Sequence, residues 1–268
     1  MQVTITLHHC LCRKTVNMNS PVFSIITVTR NAGKFLEQTI LSVLNQTYQH
    51  IEYIVIDGAS TDGSINTILH YRSGLSYWIS EHDNGLYDAM NKGLWAATGD
   101  YIWFLNAGDV LKHHELVAEL SEIAKRNELP DILYGDTDLM DRNGHVFAER
   151  RLKTPQNLTW KSFRMGMLVC HQAFIVKRSI APGYNLNYRF SADFDWCIRC
   201  LEKAKMVVHT QLRLVNYLSD GLTTANRIKS LKERYGIMCK YYGIFATTLL
   251  HGWFAVRFCW AKLTNQVI

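Results

Sequence analysis

The chain has 268 residues, of which 48% are hydrophobic and 19% are charged, close to the usage of ordinary globular proteins. This length fits one domain, or one domain with a short appendage, and it is enough to bury a full core. The net charge of +6 favours anionic partners such as a nucleoside diphosphate or an acidic membrane face. Lys and Arg are spread along the chain until its C-terminal quarter, which argues against a nucleic-acid partner.

The cysteines and the N-terminal residues bear on the compartment. Seven cysteines are present, an odd number, and Cys197 and Cys200 have no second pair of the same spacing that would complete a zinc site. This pattern favours a reduced, cytoplasmic setting over a disulfide framework. Residues 1–20 contain a short apolar run interrupted by His8 and His9, which is not the layout of a signal peptide. We expect these residues to form a disordered tail.

Predicted strands and helices alternate through the first part of the chain. Apolar, β-branched runs predict strands, and apolar residues at helical spacing predict helices, one of which begins near Gly63 with Asp62 or Ser60 as its cap. The predicted strands cover 22–29, 51–56, 75–79 and 101–105, and the other predicted helices cover 34–45 and 86–97. Strands so continuously apolar are typical of a largely parallel sheet with helices on both faces, which is an α/β fold.

The later part is predicted to be less regular. The expected elements are a strand at 132–134, a hairpin over 137–147 that turns at Asn143-Gly144, a strand at 169–176 and a helix at 193–205. From 223 to 240 the pattern is helical and basic. The sequence therefore predicts an α/β domain followed by a C-terminal helical extension.

The segment 243–263 is rich in Phe, Trp and Leu. His251, Arg257 and Lys262 make it too polar for a comfortable membrane span. It fits a helix that lies in a membrane interface. The basic residues expected to face the lipid headgroups are Lys229, Lys232, Arg234 and Lys240. A helix packed on the main domain, or in a dimer, accounts for the same pattern.

Polar clusters follow three predicted strands where each strand ends: Thr29-Arg30-Asn31, Asp57-Gly58 and the run from Asn106 to Asp109. In open parallel sheets the ligand binds beyond the carboxyl ends of the strands, so these clusters predict one binding cleft. A carboxylate at Asp109 can coordinate Mg²⁺ or Mn²⁺, whose other ligands would be diphosphate oxygens and water. A helix cap is the ordinary explanation of the same residue.

Two further groups suit a nucleotide. Asp57 can accept hydrogen bonds from a base or from a ribose hydroxyl, although the residues that follow it are also typical of a turn. Lys92, on the predicted helix 86–97, can balance the charge of a phosphate bound at the start of that helix. A solvated helix face is the alternative. The glycines match neither a dinucleotide-binding GxGxxG nor a phosphate-binding loop.

Asp193 lies at the start of the predicted helix 193–205. A carboxylate there can act as a general base toward an acceptor hydroxyl, or it can stabilise the helix N-terminus. His171 and Gln172 interrupt an apolar strand and can line the cleft, although a lone histidine in that setting is more often structural.

In their order along the chain these motifs resemble family 2 glycosyltransferases of the GT-A fold, a Rossmann-like, mostly parallel sheet flanked by helices. The blocks that carry the resemblance are SIITVTRN, SVLNQTY, IEYIVIDGASTDGS, SEHDNGLYDAMNKGLWAATGDYIWFLNAGD, CHQAFIVKR and SADFDWCIR, within residues 22–220. The fourth block is similar to bacterial transferases that build exopolysaccharide, O-antigen or capsule units. The resemblance implies a nucleotide-sugar-binding half at 21–110, an acceptor half at 111–220 and an extension at 221–268.

The resemblance also implies roles for single residues. Asp57 matches the acid that binds the base, Asp109 matches the last, metal-binding residue of the DxD motif, and Asp193 matches the catalytic base of inverting members. The residues expected to complete the nucleotide site are Val28, through its backbone, Arg30, Asn31, Lys92 and Asn106. The sequence departs from the family pattern at Asn106 and Gly108, where stricter members carry acids.

The implied reaction is a single displacement with inversion. Asp193 deprotonates an acceptor hydroxyl while a Mg²⁺ or Mn²⁺ ion at Asp109 neutralises the departing diphosphate. The expected donor is a hexose or N-acetylhexosamine on a nucleoside diphosphate, UDP first. The expected acceptor is a glycan or a lipid-linked molecule of surface polysaccharide synthesis, met in the cytoplasm or at the inner face of the plasma membrane.

Two other functions suit a similar fold. A sugar-nucleotide pyrophosphorylase needs a Gly-rich loop after the first strand, where the stretch RNAGK has one Gly. A non-catalytic scaffold that binds nucleotide sugars would not need Asp57, Asp109 and Asp193 together at cleft positions.

Overall fold

The computed structural model describes residues 20–219 and 227–263. The tail expected at 1–20 lies outside the described residues except for its last member, and so does the start of the helix expected from residue 223. The strands are β1 Phe23–Thr29, β2 Ile51–Asp57, β3 Tyr77–Ser80, β4 Tyr101–Phe104, β5 Val110–Leu111, β6 Ile132–Met140, β7 Val146–Glu149, β8 Phe174–Lys177 and β9 Val207–Leu218. The helices are α1 Lys34–Leu44, α2 Ser64–Tyr71, α3 Leu86–Ala96, α4 Leu116–Arg126, α5 Ala192–Lys203, α6 Arg227–Tyr242 and α7 Ile244–Leu263.

All nine described strands form one sheet, in the order β3-β2-β1-β4-β8-β6-β9-β5, with β7 paired to β6. β1 is parallel to β2 and β4, and β2 is parallel to β3. β8 is antiparallel to both β4 and β6, while β9 is parallel to β6. Six of these nine strands therefore point the same way, which confirms the mostly parallel sheet predicted from the sequence.

Both faces of the sheet are buried. Ile26 and Ile54 pack on one face with residues of α3, α5 and α6, whereas Ile25 and Val55 pack on the other with residues of α1, α2 and α4. Because neighbouring side chains of a strand point to opposite faces, a strand covered on both sides must be apolar throughout. This is why the strand runs read as continuous rather than alternating.

Helix α3 lies unusually close to the sheet at Gly93. A Cβ atom built there would be 2.4 Å from Cγ2 of Ile26 on β1. Only glycine allows this approach, so Gly93 seats the helix on the sheet. The first turn of α3 is thereby placed over the carboxyl ends of β1 and β2.

The predicted strand 169–176 is only partly formed. β8 begins at Phe174, and His171–Ala173 form a 3₁₀ turn instead. The backbone groups of this turn have partners outside the sheet. The Ala173 amide donates to the Cys170 carbonyl at 2.9 Å, and the indole of Trp103 donates to the Gln172 carbonyl at 2.7 Å. Helix α4 was not predicted. Strand β9, which pairs with β6 and β5, was not predicted either.

The C-terminal helices form a hairpin whose joint is Gly243, with φ of 83°. α6 packs on the main domain through buried Ile237 and Met238. Arg234 lies over the Phe194 ring at 5.8 Å and the Lys240 ammonium is 3.5 Å from Asp195, so both cations contact α5 of the main domain. None of the described helices combines the length and apolarity needed to cross a bilayer.

Candidate functional site

Asp57 is the last residue of β2, and its carboxylate is buried. Oδ1 accepts the Ser60 hydroxyl at 2.5 Å, while Oδ2 accepts the Ser60 amide at 2.9 Å and the Ser80 hydroxyl at 2.7 Å. These bonds join the ends of β2 and β3. They hold the Asp57 carboxylate in one orientation at the strand ends. The two serine hydroxyls can also rotate and bond a ligand.

The loop after β1 lies against the loop after β2. Asn31 is in the left-handed region with φ of 52°. Its amide donates to the Ser60 hydroxyl and its side-chain oxygen accepts the Thr61 amide, both at 2.8 Å. Arg30 is exposed, and its Cδ lies 3.4 Å from the position a Cβ on Gly58 would take. Asn31 thus ties the loops together and Arg30 presents a cation beside them.

Two buried oxygens at the ends of β1 and β4 have no hydrogen-bond partner within the described residues: Oγ1 of Thr29 and Oδ1 of Asn106. Val28, the neighbour of Thr29, is buried, and its carbonyl accepts the Ala107 amide at 3.2 Å. Buried polar atoms are almost always paired, so unpaired oxygens at a rim mark a place where a ligand's donors complete the network.

Asp109 follows β4 and is buried. Oδ1 accepts the Leu218 amide at 2.9 Å and Oδ2 accepts Nε2 of Gln172 at 3.0 Å. Burial raises its carboxyl pKa from the ordinary 3.8 to about 7. The backbone beside it is fixed by Thr39, whose hydroxyl donates to the Asp109 carbonyl at 2.8 Å and accepts the Gly108 amide at 2.9 Å.

Asp109 has protein partners at both of its carboxylate oxygens. Both carboxylate oxygens are bonded to the protein, and the carboxylate joins the end of β9 to the turn after β4. Within residues 20–219 and 227–263 no three His, Cys, Asp or Glu side chains come together as a metal-binding group. A site made of Asp109, diphosphate oxygens and water needs only this one protein carboxylate, so the metal centre stays a prediction.

Asp193 is half-buried in the first turn of α5. Its Oδ1 accepts the Tyr87 hydroxyl at 3.1 Å and the Phe194 amide at 2.9 Å. Oδ2 has no partner among the residues described, which leaves it able to accept a proton from a ligand. Burial, followed by the charge of Asp193, raises the pKa of Tyr87 well above its ordinary value, so Tyr87 stays a neutral donor.

His171 and Gln172, which are predicted to line the cleft, are both buried. His171 is buried, its Nε2 is 2.5 Å from the Tyr184 hydroxyl, and its ring stacks on Phe104 with centroids 5.4 Å apart. Burial lowers its pKa to about 4, so the ring is neutral. Gln172 is also buried, between Asp109 and the Cys170 thiol, which donates to its Oε1 at 2.9 Å.

Lys92 is engaged at one side of the site. Its ammonium lies 2.7 Å from a Glu81 carboxylate oxygen and donates to the His82 carbonyl at 2.9 Å. It therefore holds the loop between β3 and α3. A bound phosphate would have to replace one of these contacts.

A series of contacts connects Asp57 with Asp193. Thr29 and Asp57 are partners in the β1–β2 register, and the Asp57–Ser80 bond leads through the loop after β3 to α3, whose Tyr87 reaches Asp193. Burial first, and then the charges of Asp109 and Asp193, raise the pKa of Cys170 to about 11. Gln172 bonds both Asp109 and the Cys170 thiol, which places Asp109 beside that thiol.

Several residues that shape this site were not predicted from the sequence. The main ones are Thr39, Ser80, Tyr87 and Tyr184. Tyr87 lies inside the block SEHDNGLYDAMNKG, but a tyrosine on the inner face of a helix is ordinary core material. Its role depends on a contact with a residue 106 positions away, and no local pattern encodes that contact.

The sequence of this chain is similar to those of known proteins. The sequence model described as Glycosyl transferase family 2 matches residues 24–181. A PGL/p-HBAD biosynthesis glycosyltransferase of Mycobacterium bovis is 34% identical over 200 residues, which cover 71% of this chain and 73% of that protein. A glycosyltransferase of Haemophilus influenzae is 27% identical over 83% of this chain and 90% of its own length.

Solved structures show the same fold. Staphylococcus aureus TarS 1–349 in complex with UDP-GlcNAc matches with a TM-score of 0.66 at 16% identity, over 81% of this chain and 64% of that chain, so the present chain spans less than two thirds of it. The mannosyltransferase PcManGT of Pyrobaculum calidifontis, in complex with GDP-Man and Mn²⁺, matches with a TM-score of 0.62 at 15% identity, over 87% and 70%. The sheet is therefore that of the GT-A fold, and the chain belongs to glycosyltransferase family 2.

Proposed function

We propose that this glycosyltransferase moves a hexose or N-acetylhexosamine from a UDP-sugar to a hydroxyl of a glycan or a lipid-linked acceptor, in the cytoplasm and with inversion. The observation that carries the proposal is the half-buried carboxylate of Asp193, which accepts a hydrogen bond from Tyr87 on the helix that follows the loop after Ser80, a partner of Asp57. TarS, a structural neighbour, is in complex with UDP-GlcNAc, which supports UDP as the first nucleotide to test.

The donor is held at the ends of β1, β2 and β4. The carboxylate of Asp57 accepts from the base or the ribose, and the unpaired oxygens of Thr29 and Asn106 accept further donors of the nucleoside. Arg30 is an exposed cation beside Gly58, the residue after Asp57, and in this proposal it binds the diphosphate. A guanidinium is well suited to this because it binds two phosphate oxygens at once.

Transfer is a single displacement at the anomeric carbon. The acceptor oxygen forms a bond to that carbon as the bond to the diphosphate oxygen breaks, and Oδ2 of Asp193 takes the acceptor proton. The nucleoside diphosphate leaves with the bonding electron pair. One attack from the face opposite the leaving group inverts the configuration.

A divalent cation has no assigned step in this proposal. PcManGT is in complex with Mn²⁺, but Asp109 of the present chain is bonded to Leu218 and Gln172 through both oxygens. The charge of the leaving group is instead balanced by Arg30.

A donor screen tests the proposal. The purified chain is titrated with UDP by calorimetry and then incubated with UDP-glucose, UDP-galactose, UDP-N-acetylglucosamine and GDP-mannose, with and without Mn²⁺, while nucleotide release is measured. We expect UDP to bind and one UDP-sugar to be hydrolysed faster than the GDP-sugar. Absence of UDP binding under both conditions would overturn the donor assignment.

A further inference from the structure

Helix α7 presents an apolar stripe to solvent. Phe245, Leu249, Trp253 and Val256 are 86%, 77%, 58% and 61% exposed. Spacings of four, four and three residues place these side chains on one face of the helix. The opposite face packs inward, because Thr247 is buried and the His251 ring contacts the Tyr235 ring of α6 with centroids 5.1 Å apart. The exposed stripe is therefore a separate surface from the one that folds the helix onto the protein.

The stripe is too long and too uniform to be ordinary surface. It spans about 16 Å of helix axis at 1.5 Å per residue, and the helix from residue 244 to residue 256 contains no Asp, Glu, Lys or Arg. Single exposed apolar residues are normal, but a continuous apolar face on a helical segment without charged residues marks an interaction site.

The charge around the stripe indicates the partner. The segment 227–263 carries seven Lys and Arg residues and one acidic residue, an excess equal to the net charge of the whole chain, so the rest of the chain is balanced. On α6 the exposed residues Lys229 and Lys232 lie beside Ile228 and Leu231, which are 84% and 51% exposed, and the Lys229 ammonium lies over the Phe190 ring at 5.8 Å.

A second copy of the chain is a poor match for this surface. Two copies joined stripe to stripe would bring together two segments with the same excess of positive charge, which repel each other. An interface between lipid tails and anionic headgroups offers apolar and negatively charged layers at the same time.

We propose that α6 and α7 dock on an anionic lipid surface. The stripe of Phe245, Leu249, Trp253 and Val256 lies at the boundary between headgroups and acyl chains, and Lys229 and Lys232 contact the headgroups. This attachment goes beyond the proposed transfer reaction and does not depend on its chemistry. It would place the rim of the sheet beside an acceptor carried in the same membrane.

Vesicle sedimentation of the full chain tests the proposal. We expect binding to phosphatidylcholine vesicles that contain phosphatidylglycerol, little binding to phosphatidylcholine alone, and weaker binding as salt is raised. The triple variant Phe245→Ser, Leu249→Ser, Trp253→Ser should bind at least about tenfold more weakly, because it lacks the three large apolar side chains whose transfer from water into the membrane favours binding. Since these side chains are exposed, the variant should fold normally. Val146→Ser with Phe147→Ser, on exposed strand β7, is the matched control and should bind like the parent.

A second pair of variants tests whether the lysines of α6 contribute to binding. Lys229→Glu with Lys232→Glu should weaken binding to anionic vesicles, whereas Lys125→Glu with Arg126→Glu on α4 should not. No binding to either vesicle, equal binding to both, or an unchanged triple variant would overturn the inference. A dimer that the triple variant disperses would overturn it as well, in favour of self-association. UDP binding measured without vesicles is independent of these results, so a failure here leaves the donor assignment standing.

Discussion

The hydroxyl of Tyr87 donates to Oδ1 of Asp193 at 3.1 Å. Tyr87 is on α3, which begins directly after the loop beside Asp57, whereas Asp193 opens α5 in the other half of the sheet. The Tyr87 ring is buried and stacks on Tyr184 with centroids 5.6 Å apart. The buried Tyr87 side chain therefore orients the Asp193 carboxylate, which is proposed to accept the proton.

Tyr87→Phe should lower kcat by about tenfold, because it removes one hydrogen bond to a charged group and keeps the buried ring. The KM for the donor should change by less than about twofold, since Tyr87 does not contact the nucleotide pocket built on Asp57. Steady-state kinetics with the donor found in the screen measures both. Tyr188→Phe, a partly buried tyrosine on the same side of the sheet, is the control. Equal loss of UDP affinity and rate would show a structural defect instead.

Asp193 and Asp195 provide a matched pair within one helical turn. Asp195 is fully buried and accepts Nε of Arg199 at 2.6 Å and the Tyr241 hydroxyl at 2.8 Å. Asp193→Asn should reduce transfer by at least about a hundredfold, the scale of a lost general base, while UDP affinity and the free energy of unfolding stay near those of the parent.

Asp195→Ala should have the opposite signature. Removing one partner of a buried ion pair costs about 3 kcal/mol or more of unfolding free energy, so urea denaturation should show a clear loss of stability. The remaining folded protein should still transfer sugar. If Asp193→Asn instead retains transfer, Asp193 is not the base, and its contacts with Tyr87 and the Phe194 amide are structural.

The sequence predicts the sheet well because its signals are local. Continuous apolar runs identify β1, β2 and β4, and parallel strands bring their carboxyl ends to one edge, so Asp57 and Asp109 fall where expected. It does not predict how Asp109 is used, because its partners Gln172 and Leu218 are 63 and 109 positions away. An Asp after a strand looks the same whether it meets a metal ion or an amide.

Asp57→Asn should weaken UDP binding by about tenfold, the scale of one lost hydrogen bond to a charged group. An amide has one acceptor oxygen and cannot satisfy Ser60, Ser80 and a ligand together. Asp62→Asn is the control, since Asp62 lies in the same loop but bonds Gly33 and Ser64 away from the pocket. Calorimetry with UDP compares the two variants, and equal losses would mean that the loop rather than Asp57 determines affinity.

Asp109 should make the folded state less stable as pH rises. Burial places its folded pKa at about 7 against an ordinary 3.8, so between these values the folded protein holds a proton that the unfolded chain has released. Stability is then lost from about pH 4 to pH 7. His171 acts in the opposite direction, because its folded pKa of about 4 lies below the ordinary 6.5 and stability rises with pH through that window.

The difference between the parent and Asp109→Asn isolates the Asp109 contribution, since His171 is common to both. Asparagine stays neutral and can still accept the Leu218 amide. Urea unfolding at pH 5 and pH 7 should show the parent losing about 2 kcal/mol relative to the variant. A carboxylate that bound a divalent cation would behave differently. Mn²⁺ would then raise the unfolding midpoint of the parent and not that of Asp109→Asn. If the carboxylate only bonds Leu218 and Gln172, Mn²⁺ should shift both midpoints equally or not at all.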